Sequence, residues 1–155
     1  DLYVLIIINY FPLFMSEIAE NAKNLFGMRA YESYDGKVYN SVIGCDVHIG
    51  KNTVVRDSII MNNTVIGEGC ELYKTIVAEN VTVSDNCKFG IGEEVPNETD
   101  PHIYNSGLVC IGEKSIIPKG ITVGKNACIF GETTAADYEN NSLASGKTLI
   151  KAGEE

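Results

Sequence analysis

The feature that most restricts this chain is a repeat. Residues 43–59, 60–76 and 77–93 superimpose at an offset of 17 positions, with aligned columns Ile43/Ile60/Val77, Val47/Thr64/Val81, Ile49/Ile66/Val83, Thr53/Cys70/Cys87 and Val55/Leu72/Phe89. Such self-similarity is the mark of a stacked solenoid and has to be weighed before any other reading. Inside each unit the aliphatic starts are spaced six, six and then five, as at Ile43, Ile49, Val55 and Ile60. An amphipathic helix would need apolar recurrence at three and four, and short β-branched strands broken by turn residues fit instead.

The turn residues supply the mechanism. Asp46, Asn63 and Asn80 share one column, and Asn52, Gly69 and Asn86 share another. Gly has no Cβ, and Asn or Asp tolerates positive φ, so these columns suit left-handed corners. Three short strands and three corners make a triangular coil, and coils stack as parallel strands about 4.8 Å apart. The pattern resumes at Ile111, Ile117 and Val123. The expected fold is all-β, a single-stranded left-handed parallel β-helix, with a short N-terminal helical or extended appendage.

The boundaries follow from where the repeat starts and fails. Residues 1–37 form the appendage: a strand-like apolar head over 1–14, a helix over 16–26 that covers the first coil, and a linker. Residues 38–132 are the β-helix, interrupted at 93–107 by a segment with two prolines and four acids. That segment reads as a loop leaving the prism, either a contact surface or a tolerated surface insertion. Residues 133–155 are a polar tail with a short strand at 148–150. The head is too short to span a bilayer and lacks the basic flank and cleavage site of a signal peptide. A chain starting at Asp1 is expected to be part of something longer.

Charge and side-chain inventory exclude several functions. With 21 Asp+Glu against 12 Lys+Arg, the formal charge is −9, the wrong sign for a nucleic-acid partner. Five cysteines form no C-x-x-C pair and are read as reduced thiols of a cytoplasmic protein. Cys70 and Cys87 share a column close enough for a disulfide, but read better as small core residues. His48 and His102 are too few for a three-histidine zinc site. A hexapeptide-repeat acyltransferase needs one basic His, so His48 is that candidate, although alternation turns it outward with no orienting partner nearby. Arg56 and Lys74 are the candidate contacts for an anionic effector, because Arg and Lys are the natural phosphate partners. There is no glycine-rich phosphate loop and no nucleophile elbow. No catalytic, cofactor-binding or metal residue is assigned.

The order of the pieces is more telling than any hexapeptide. Val38-Tyr-Asn-Ser-Val-Ile-Gly, Arg56-Asp-Ser-Ile-Ile-Met, Val65-Ile-Gly-Glu-Gly, Ile76-Val-Ala-Glu-Asn-Val, the loop Val95-Pro-Asn-Glu and the return Ile103-Tyr-Asn-Ser-Gly-Leu-Val-Cys-Ile-Gly-Glu-Lys-Ser-Ile-Ile-Pro run in sequence. Over residues 38–150 this resembles the C-terminal β-helix domain of a bacterial glucose-1-phosphate adenylyltransferase (ADP-glucose pyrophosphorylase). The resemblance implies a regulatory and assembly domain of an enzyme of glycogen biosynthesis, inactive alone. It implies a missing catalytic domain that transfers AMP from ATP to glucose 1-phosphate with Mg²⁺, a homotetramer, and phosphorylated-metabolite effectors. A non-catalytic sister subunit and a stand-alone hexapeptide-repeat acyltransferase are the alternatives.

Overall fold

A computed structural model of the chain describes residues 36–151. The strand-like head, the helix over 16–26 and the linker as far as residue 35 lie outside the described residues, and Lys37, placed in the linker by the sequence, opens the first strand by pairing with Val54. Sixteen short strands, β1 (Lys37–Tyr39) to β16 (Thr148–Ile150), stack in three parallel sheets that form the faces of a left-handed β-helix. The first face runs β1-β4-β7-β10-β13-β15, the second β2-β5-β8-β11-β14-β16, and the third β3-β6-β9-β12.

The register is the one the repeat dictates. Ile43 pairs with Ile60 and Ile60 with Val77; Ile49, Ile66 and Val83 form the next row, and Val55, Leu72 and Phe89 a third. These side chains fill the prism together with Val47, Val81, Ile111, Ile117, Val123 and Ile129. Strand alternation puts their chain neighbours outside.

All three corners use the left-handed region. Asp46, Asn63, Asn80 and Lys114 have φ of 54, 56, 58 and 56°, and Asn52, Gly69 and Asn86 have 59, 66 and 59°. The third corner, Asn40, Asp57 and Lys74, has φ of 44, 52 and 44°. A small polar residue after many corners closes the wall by bonding upward. Thr53 Oγ1 donates to the Gly67 carbonyl and accepts from the Cys70 amide. Cys70 and Cys87 both lie buried and reduced, each thiol donating to the Ser84 carbonyl. Hydrogen bonding to Cys70, then burial, holds the Cys87 thiol well above the ordinary thiol range.

The prism reaches further than the hexapeptides suggest. Residues 133–155 read as a tail, yet β15 (Ser142–Leu143) pairs with β13 and β16 with β14. The spacing hides this coil. Ile111 pairs with Ile129, 18 residues on, and Val123 with Leu143, 20 on, so the 17-residue offset no longer finds them. The extra residues include a 3-10 turn, Ala135–Asp137, followed by Tyr138, whose hydroxyl shares a hydrogen bond with Thr133.

Candidate functional site

The three outer faces differ in chemistry. On the third, the outward row is His48, Val65, Thr82 and Ile116, all exposed. Among the described residues, His48 has no side-chain hydrogen bond or carboxylate partner to orient it as a general base. On the first, the outward rows are polar: Glu71 is paired with Lys88 at 3.2 Å, and Arg56 stacks over Tyr39, 4.9 Å from the ring centroid. Register places Arg56 beside Tyr73 as well, but the guanidinium settles on the ring of the coil before.

The second face is apolar on its outside. Val42, Ile59, Ile76, Cys110 and Cys128 form one in-register outer row, buried like a core. Against this row pack Ile103 and Tyr104 from the interruption at 93–107, with Met61 and Phe130. The loop therefore does not simply leave the prism. It crosses back over the second face as a strap, and Tyr104 meets Phe130 with ring centroids 6.2 Å apart. Burial pushes the Tyr104 hydroxyl well above its usual range. A hydrogen bond with Cys110, followed by burial, does the same for Cys128.

Two buried asparagines fasten the strap. Asn126, fully buried with φ of 58°, donates from Nδ2 to the Val95 carbonyl and accepts at Oδ1 from the Gly107 amide, so one side chain ties both feet. Asn97 donates from Nδ2 to the Asn126 carbonyl and accepts at Oδ1 from the Thr99 and Asp100 amides and from Thr148 Oγ1. Lys147 and Glu98 add an exposed ion pair, which holds the Glu98 carboxyl below the usual carboxylate range. The sequence suggested a loop here but not its clamp; a buried asparagine within a β-helix coil looks like any other corner residue.

Of the two expected anion contacts, Arg56 ends β4 on the first face, and Lys74 sits at the corner between the first and second faces, between β7 and β8. Lys74 occupies the corner column above Asp57, and its amide donates to the Arg56 carbonyl. Its Nζ lies 3.5 Å from the Ser106 carbonyl at the foot of the strap. Among the described residues, no three His, Cys, Asp or Glu side chains gather closely enough to hold a metal ion. No described helix is long and apolar enough to cross a membrane.

Comparison with known proteins adds what geometry cannot. A family described as "GlmU-like, C-terminal hexapeptide" matches residues 32–111. Proteins named glucose-1-phosphate adenylyltransferase are similar over most of the chain: one from Lachnospira eligens is 48% identical over 143 residues, 92% of this chain. One from Acetivibrio thermocellus is 41% identical over 77% of it, and one from Thermotoga neapolitana 40% over 90%. The chain spans only 33%, 28% and 32% of the length of these three relatives.

Proposed function

From a chain that belongs to the GlmU-like C-terminal hexapeptide family, we propose the regulatory and assembly domain of a glucose-1-phosphate adenylyltransferase, inactive by itself. The whole protein would join ATP and glucose 1-phosphate into ADP-glucose and pyrophosphate for glycogen synthesis, using Mg²⁺ held elsewhere in the protein. The carrying observation is coverage: high identity over 92% of this chain accounts for only 33% of the relative. The prism supports the reading, because its interior is filled with apolar side chains and it stacks as a scaffold.

In this reading the domain offers docking faces to its catalytic partner and to further copies in a tetramer, and Arg56 and Lys74 receive an anionic metabolite. The test expresses the whole natural reading frame beside the present chain. ADP-glucose formation by the whole frame and none by the chain alone supports the proposal. A whole frame that makes no ADP-glucose and carries no glycine-rich nucleotide loop overturns it in favour of a sister subunit. Acetyl transfer by the chain alone, abolished in His48→Ala, overturns it in favour of an acyltransferase.

A further inference from the structure

Four of the five cysteines stand as two in-register pairs, and the two pairs differ in what covers them. Cys70 and Cys87 share an inner column and are fully buried within the prism. Their thiols are held by the wall itself: both donate to the Ser84 carbonyl, and Cys87 reaches Pro118 as well. Cys110 and Cys128 lie in the outer row of the second face, opposite one another where β11 (Val109–Ile111) pairs with β14 (Cys128–Phe130). Parallel strands stand about 4.8 Å apart, inside the Cα separation that a disulfide spans. The two side chains already share a hydrogen bond.

The cover over this outer pair is the strap. Below it the row is aliphatic, Val42, Ile59 and Ile76, and it turns to sulfur beside the clamp. Cys110 follows Gly107 by three residues and Cys128 follows Asn126 by two, so the pair flanks the bond between the Gly107 amide and Asn126 Oδ1. Tyr104 packs on the same row, with its phenol within electrostatic reach of both sulfurs. Cys110 is 6% exposed and Cys128 not at all. With the strap down, the hydrogen bond with Cys110 and then burial keep Cys128 protonated, and a thiol is a poor nucleophile. Lifting the strap bares this pair, Cys110 foremost, and opens no coil. Reaching the inner pair means parting the coils.

We propose that Cys110 and Cys128 form a peroxide-sensitive modification site gated by the strap, and that their disulfide pins the strap's exit to the coil bearing its clamp. When the strap lifts, the Cys110 thiolate attacks one oxygen of hydrogen peroxide; the O–O bond breaks, hydroxide leaves and Cys110 becomes a sulfenic acid. The Cys128 thiolate then attacks that sulfur, an S–S bond forms, and the S–O bond breaks with loss of a second hydroxide. The two thiol protons turn both hydroxides into water. Two thiols thus lose two electrons in all, and one peroxide is reduced to two waters. The new bond closes the loop 110–128 around Asn126, and the strap settles back over a row that can no longer part. This inference does not rest on the adenylyltransferase reading.

The experiment uses the full chain carrying Cys45→Ser, which removes the one exposed thiol. After treatment with hydrogen peroxide, free thiols are blocked and joined peptides are identified by mass spectrometry. A Cys110–Cys128 link should form in the folded protein, while Cys70 and Cys87 stay free until denaturant is added. Tyr104→Ala, which removes cover, should speed the link about tenfold by populating the lifted strap. The oxidised chain should exchange its amides over 93–108 more slowly, and dithiothreitol should restore the original rates. Cys110→Ala should abolish both the link and the slowing. Absence of the link in folded protein, a sulfinic acid at Cys110 in its place, or a Cys70–Cys87 link formed equally fast overturns the proposal. So does equal strap exchange in the oxidised and reduced forms, or slowing by peroxide in Cys110→Ala.

Discussion

Inside and outside of the same strands follow different rules. The inner rows repeat faithfully, because each coil must fill the space left by the one below: Ile49, Ile66, Val83 and Ile117 occupy one row and are all buried. The outer rows share the backbone but not the chemistry. The third face shows His48, Val65, Thr82 and Ile116 to solvent, while the second shows Val42, Ile59, Ile76, Cys110 and Cys128 and buries them. A solenoid's interior is thus set by neighbouring coils, and its exterior by whatever crosses it.

The largest test of this contrast removes an inner residue. Phe89 is fully buried among several coils, so Phe89→Ala should cost about 3–5 kcal/mol and lower the thermal midpoint of the whole prism. A loss confined to the strap would contradict the shared interior. Next, Asn126→Gly keeps positive φ but strands the Gly107 amide and the Val95 carbonyl. About 2–3 kcal/mol should go, with proteolysis appearing first within 93–107 and the far-ultraviolet dichroism preserved.

Smaller effects sharpen the outer half. Tyr104→Ala should cost about 1–2 kcal/mol and raise the binding of a hydrophobic dye, since the row at Cys110 and Cys128 loses part of its cover. The matched change Val65→Ala, on the open third face, should leave dye binding unchanged. The least effect is electrostatic. The folded pKa of Glu98 lies below its usual 4.5, because of Lys147 first and the Thr148 amide second. Its contribution is therefore full above that value and lost as pH falls through the lowered folded value. The protection of strap amides, taken relative to their intrinsic exchange rate at each pH, should fall across that acidic window, and Lys147→Met should remove most of the dependence.

Legibility in the sequence divides along the same line. The rows and two corners were readable because a left-handed corner selects Asn, Asp or Gly and a narrow prism selects β-branched side chains. The last coil was not, since spacings of 18 and 20 between Ile111 and Ile129 and between Val123 and Leu143 break the offset that reveals the rest. The cations Arg56 and Lys74 could be named from composition. Their setting could not, because the stack on Tyr39 and the approach to Ser106 arise from side-chain reach and from a strap with no repeat of its own. His48 was placed outward by alternation, and outward is where it stands.

The strap's attachment has one more consequence. Chain leaves after β10 (Lys88–Ile91) and rejoins at β11 (Val109–Ile111), which lies in register with β8, as though nothing had intervened. The thread of the screw is not advanced by the detour: rows above it meet rows below at a sequence separation of 34, twice the ordinary step, as Val83 and Ile117 do. Such a junction behaves as a socket. A segment of another length could be seated between the same two strands without re-phasing any coil, provided that it still covers the apolar row beneath it.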